Sequence, residues 1–144
     1  MPHDYAMLDD ILEIHDDQIE QFGGSHGIRD MGQLEAALFR PQTGYYADLI
    51  AEAAVLWESL SQNHPFIDGN KRAAFAGMHV FLLINGWRVT ASHDDAWQFL
   101  NSLYETHEFR SGALDSWLRV NTAALYPSPK IAAGGRHRPV YGDG

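Results

Sequence analysis

The chain has 144 residues, 45% of them hydrophobic, which fits one domain with a sizeable core and leaves no room for a second. With 10 basic against 19 acidic residues the net charge is −9, a balance that argues against a general nucleic-acid binder, and the absence of cysteine excludes disulfides and thiolate metal sites. The opening M-P-H-D-Y-A has neither the basic nor the apolar region of a signal peptide, and no apolar run reaches transmembrane length. A soluble cytoplasmic protein without membrane contact is expected.

From the start of the chain, Leu8, Leu12, His15, Ile19 and Phe22 recur at helical spacing, so Asp9 to Phe22 reads as an amphipathic helix with an acidic outer face, ended by Gly23-Gly24. His15 lies on the apolar stripe, where a packed histidine is commoner than a catalyst. The segment G-G-S-H-G-I-R-D is a turn-rich connection. Asp30 with Gln33 three residues on forms a capping box for a short helix carrying Leu34, Ala37 and Leu38, which stops before Pro41. R-P-Q-T-G-Y-Y-A-D then reads as an ordered loop or small hairpin, in which Tyr45 and Tyr46 close the edge of the core. Asp48 or a neighbour caps the next helix, whose Ile50, Ala53, Ala54, Trp57 and Leu60 make a broad buried face as far as Gln62-Asn63.

The stretch from Asn63 to Phe75, N-H-P-F-I-D-G-N-K-R-A-A-F, follows and is the chemically densest in the chain. Gly69 ahead of Asn70, Lys71 and Arg72 reads as a turn opening a helix, where free backbone N–H groups and the positive end of the dipole favour an anion. Lys71 and Arg72 add permanent charge, and Asp68 offers a hard oxygen ligand for a magnesium ion riding on a di- or triphosphate. His64 is placed to accept a proton from an attacking hydroxyl. These parts suit phosphoryl or nucleotidyl transfer. The plainer reading of the same residues is a capped helix with a surface ion pair between Asp68 and Lys71 or Arg72. A metal site of His64, Asp68 and His79 is conceivable, but no H-E-x-x-H spacing supports zinc hydrolysis.

Asn70 to Asn85 reads as a second central helix, small on its early turns (Ala73, Ala74, Ala76, Gly77), with His79 as a buried structural histidine. After Gly86, W-R-V-T-A is a short extended piece. Ser92 and Asp95 make another capping box for a helix bearing Ala96, Phe99, Leu100 and Leu103. Glu105 to Arg110 breaks it, and Ser111 caps a last helix with Leu114, Trp117, Leu118 and Asn121 facing inward, Leu125 docking afterwards. The expectation is an all-α bundle of about six helices over residues 1–126. Residues 127–144, P-S-P-K-I-A-A-G-G-R-H-R-P-V-Y-G-D-G, read as a disordered tail. Lys130, Arg136 and Arg138 lie there with a single carboxylate, Asp143, so the body is more acidic still and its Lys71/Arg72 pair stands out.

His64 to Arg72 also resembles the signature of the Fic/Doc superfamily, roughly H-x-F-x-(D/E)-G-N-x-x-R, and within it the branch of death-on-curing (Doc) toxins. Fic proteins typically read H-P-F-x-(D/E)-G-N-G-R-x-x-R and transfer AMP from ATP to a hydroxyl; this chain has Lys71 at the second glycine and Phe75 at the last arginine, as Doc toxins do. The resemblance covers about residues 5 to 122 and implies a helical Fic/Doc fold, ATP bound in the reversed sense and transfer of its gamma phosphate. Under it His64 would be the base, Asp68 the magnesium ligand, Gly69, Asn70, Lys71 and Arg72 the phosphate clamp, and Phe66 a structural support of the loop. Tyr45 and Tyr46 would belong to a flap that holds the target polypeptide. It further implies a threonine of elongation factor Tu as acceptor, arrest of translation, and a small antitoxin whose disordered C-terminal segment folds onto the toxin. The competing readings are a Fic-type adenylyltransferase and a catalytically silent protein-binding module.

Overall fold

The computed structural model describes residues 3–126. The expected tail, 127–144, lies outside the described residues. Six α-helices make up the body: α1 (Leu8–Phe22), α2 (Met31–Phe39), α3 (Leu49–Gln62), α4 (Asn70–Ile84), α5 (His93–Glu105) and α6 (Ser111–Val120). A 3₁₀ turn, Arg40–Thr43, follows α2, and strands β1 (Trp87–Val89) and β2 (Thr122–Ala124) pair antiparallel, Trp87 opposite Ala124 and Val89 opposite Thr122.

The centre is α3 with α4, which turns back along it and carries Ala73, Ala74 and Gly77 on the contact face. A Cβ on Gly77 would stand 3.0 Å from both Ile11 of α1 and Leu60 of α3, so the missing side chain lets three helices close on one point. Trp57 is fully buried in α3, with the rings of Phe75, Phe109 and Trp117 edge-on at 5.5 to 6.1 Å. Such tilted contacts are what aromatic quadrupoles favour.

Three of the six helix starts use the side-chain caps expected of them. Asp30, Asp48 and Ser92 accept from the backbone N–H of Gln33, Ala51 and Asp95 respectively. Helix α6 differs: Arg110 is its cap position and Ser111 its first residue, and the Ser111 N–H is taken by the Glu58 carboxylate at 3.0 Å. A side chain from α3 replaces the local hydroxyl that sequence suggests. Phe22 also departs from expectation. It is 56% exposed, because the buried stripe of α1 runs through Ile11, His15 and Ile19 and the helix leaves the core before its last turn. The connection after α2 takes the form of the 3₁₀ turn and a left-handed Gly44, not a hairpin.

Asp48 also takes a two-pronged contact from Arg119, at 2.9 and 3.0 Å, tying α6 to the start of α3. Those hydrogen bonds, then the Ala51 N–H, hold its carboxyl below the ordinary carboxylate range. A depressed native pKa adds stability above the unfolded value and loses it as pH falls through the native one. Asp48→Ala should therefore lower urea stability by about 1 kcal/mol at pH 7. The gap should begin to narrow below about pH 4 and go on narrowing until the pH passes the depressed native value; an equal gap at pH 3 would contradict this account.

Candidate active site

The α3–α4 connection, residues 63–69, is held from three sides. Beneath it, Phe66 is 1% exposed and stacks on His15 with ring centroids 3.8 Å apart and planes 4° from parallel. His15 Nε2 lies 2.7 Å from the Asp68 carbonyl, and a carbonyl only accepts, so Nε2 carries the proton and donates. From inside, the Asn70 side chain closes the turn: its Oδ1 accepts from the Phe66 N–H at 2.9 Å and its Nδ2 donates to the Phe66 carbonyl at 3.0 Å. Both ends of the amide thus serve the loop.

The third side is the strap between α1 and α2. Arg29 Nε and Nη2 donate to the carbonyls of His64 and Asn63 at 2.6 and 2.9 Å, while the N–H groups of Arg29 and Asp30 share the Pro65 carbonyl. Ile67 N–H returns a bond to Gly27 O, and Ile28 faces Phe66 in an antiparallel bridge. Gly24 comes so close to Asp68 that a Cβ there would stand 2.8 Å from Oδ2, at a φ of +112° that side chains rarely tolerate.

Within this frame His64 has φ +48°, the left-handed region, which costs a non-glycine residue about 1 kcal/mol or more. The bonds on either side enforce it. The imidazole is exposed and meets no hydrogen-bond partner among the described residues, so it is free to serve a ligand. Asp68 is exposed; its Oδ1 accepts from the Gly69 N–H and its Oδ2 from the Ser25 N–H. Neutral donors hold it, and lone pairs remain. One such carboxylate fits a magnesium ion that takes its other oxygens from phosphates and water. No cluster of three or more potential metal-binding side chains occurs among the described residues, so a dedicated cage is absent from that part of the chain.

Gly69, at φ +74°, starts α4, and Ala73 is the first residue to return its N–H to the turn, on Gly69 O. The amides of Asn70, Lys71 and Arg72 donate to no protein acceptor among the described residues. That is an anion cradle at the positive end of a 15-residue helix. Arg72 donates to the carbonyls of Gln18 and Gly23, near the end of α1, and lies 5.6 Å from the Phe22 ring centre. Lys71 Nζ stands 4.1 Å from the centre of the Tyr104 ring. Neither cation pairs with Asp68. The surface ion pair of the plainer reading is not formed.

Lys71 and Arg72 form the rim of a groove of about 510 Å³, walled by Phe22, Phe75, Ala76 and Trp97. His79 joins that wall half-buried, its pKa pulled below the ordinary value by burial. Its Nε2 accepts from the Val89 N–H at 3.3 Å. Tyr46 lines a separate cleft with Ala54, Val55 and Ser111, its hydroxyl accepting from Arg40 and its ring edge-on to Tyr45, which is 84% exposed. Arg29, His15 and Tyr104 are the residues that sequence reasoning missed as supports. His15 left a signal, a polar ring on an apolar stripe; Arg29 left none, because its partners lie 34 and 35 residues away.

The chain is thus a helical bundle whose central turn presents an unpartnered histidine, an exposed carboxylate and helix-start amides without protein acceptors among the described residues. Residues 5–82 match the Fic/DOC family, and the chain belongs to it. Among curated relatives it is 45% identical over 78 residues to "Toxin Doc" of Mycolicibacterium smegmatis, a match covering 51% of this chain and 60% of that protein. It is 32% identical over 85 residues to "Protein kinase doc" of Escherichia phage P1, covering 56% of this chain and 68% of the phage protein. The kinship supports the Doc toxin branch. No helix among the described residues is long and apolar enough to cross a membrane.

Asn70→Ala should break the turn without unfolding the bundle, costing about 1–3 kcal/mol by leaving the Phe66 backbone unpaired. Hydrogen exchange should show the Phe66 amide losing its protection while Trp57 keeps its own. A Phe66 amide still protected in the variant would mean that Asn70 does not close the loop.

Proposed function

We propose that the protein is a Doc-type toxin kinase that transfers the gamma phosphate of ATP to a threonine hydroxyl of a protein target. The observation that carries this is the His64–Arg72 turn, where an exposed imidazole without a hydrogen-bond partner among the described residues precedes a helix start with three amides that find no protein acceptor there. The name of the phage relative, a protein kinase, supports the same chemistry.

In this reading the polyphosphate lies on the amides of Asn70, Lys71 and Arg72, with the Lys71 ammonium and the Arg72 guanidinium beside it absorbing developing charge. Asp68 would hold magnesium, which when bound neutralises phosphate charge. His64 accepts the proton as the acceptor hydroxyl attacks the gamma phosphorus. The bond from that phosphorus to the bridging oxygen breaks, and ADP leaves. Elongation factor Tu is the proposed target, with arrest of translation in the cytoplasm as the outcome, and Tyr45 and Tyr46 remain proposed contacts for the target chain.

The proposal includes a cognate antitoxin whose C-terminal segment is disordered until it binds. The groove walled by Phe22, Phe75 and Trp97 suits it: apolar walls take the apolar face of an ordering segment, and the Lys71/Arg72 rim takes its acidic residues. Trp97→Lys should weaken binding of a peptide from the adjacent antitoxin reading frame by more than about tenfold, since a central aromatic anchor carries much of such an interface. Unchanged affinity would place the antitoxin elsewhere.

His64→Ala tests the chemistry. Calorimetry should find magnesium-ATP binding little changed, while label from gamma-labelled ATP no longer reaches the acceptor. Transfer from alpha-labelled ATP by the unaltered protein would make it an adenylyltransferase of the Fic kind, and normal transfer by the variant would remove His64 from its role as base.

A further inference from the structure

Lys71 is the second residue of α4 and is exposed, yet its ammonium is docked on a ring from another helix, 4.1 Å from the centre of Tyr104 in the last turn of α5. That ring is itself fixed. The Tyr104 hydroxyl and Ser61 Oγ share a 2.6 Å hydrogen bond, and Ser61 is buried in the last turn of α3, three residues ahead of His64. On its other side Tyr104 stacks on Phe109, centroids 4.5 Å apart and planes 6° from parallel, and Phe109 is buried against Trp57. Burial pushes the tyrosine hydroxyl up to about 12, so the ring stays neutral at any working pH.

The chemistry of this contact differs from that of a salt bridge. A carboxylate beside Lys71 would cancel its charge and repel a phosphate; an aromatic face orients the ammonium and leaves the charge unneutralised. None of the carboxylates among the described residues forms an ion pair with Lys71. Arg72 is treated alike, held by the carbonyls of Gln18 and Gly23 and set near the ring of Phe22.

We propose that Tyr104 is a positioning residue, one that holds the Lys71 ammonium at the α4 N-terminus ready for the polyphosphate of the nucleotide substrate. The inference rests on the kinase reading above and adds a residue to it. Ser61 anchors the ring, which thereby links the end of α3, where His64 follows, to the cation at the start of α4.

The test combines calorimetric titration with magnesium-ATP and proton spectra of the lysine methylenes. Tyr104→Leu should weaken nucleotide binding roughly three- to tenfold, the range expected when a cation loses its aromatic platform. Tyr104→Phe, which keeps the ring stacked on Phe109 but gives up the Ser61 hydrogen bond, should recover most of that loss. In a Lys71→Met background Tyr104→Leu should cost nothing more, whereas a merely structural tyrosine would cost the same in both backgrounds. The Lys71 ε-methylene should be shifted upfield by the ring in the unaltered protein and in Tyr104→Phe, and return to an ordinary position in Tyr104→Leu. Binding that is independent of Tyr104, or an unshifted methylene, overturns the proposal alone. If the unaltered protein binds no magnesium-ATP, the nucleotide reading beneath it fails.

Discussion

The paired hydrogen bonds between the Asn70 side chain and the Phe66 backbone are the constraint on which the site depends. A connection between two central helices would ordinarily be free to vary; here the first residue of the second helix reaches back and fixes the middle of the loop. Phe66 is thereby pressed onto His15, the Asp68 carbonyl accepts a hydrogen bond from His15 Nε2, and the chain must enter α4 through a left-handed Gly69. Each step leaves the next little choice. The left-handed backbone of His64 is the residual strain of that closure, kept in place by Arg29 on the two carbonyls beside it.

A second feature runs through the same residues: the charged groups are oriented by neutral partners. Asp68 is held by two backbone N–H groups, Arg72 by two carbonyls and Lys71 by a phenol ring. Had these three paired with one another, the turn would be electrostatically quiet and its stability better served. Kept apart, they leave a carboxylate able to take a hard cation and two cations able to take an anion, within one turn of a helix whose first amides are open. The protein carries an overall charge of −9, so this notch is a local exception in an acidic body.

Helix positions were legible because apolar residues and caps recur at fixed offsets: Asp30, Asp48 and Ser92 are followed by the amides they bind, and Gly23 and Gly86 mark endings. The candidate site, His64 to Arg72, was legible as a chemically dense stretch because its residues are consecutive. What escaped was everything supplied across the fold. The Glu58 cap of α6, the Arg29 clamp and the Tyr104 platform each join residues 33 or more positions apart, and no local pattern announces them. Phe22 escaped for a related reason: periodicity continues to the end of α1, whereas the body it packs on does not.

The most direct measurement is an amide chemical-shift titration with magnesium-ATP. The account predicts the largest movements at the N–H groups of Asn70, Lys71 and Arg72, with the Phe66 amide, already committed to Asn70, nearly still. Large shifts confined to another surface, or a Phe66 amide that moves with its neighbours, would contradict the claim that this turn is a preformed anion cradle.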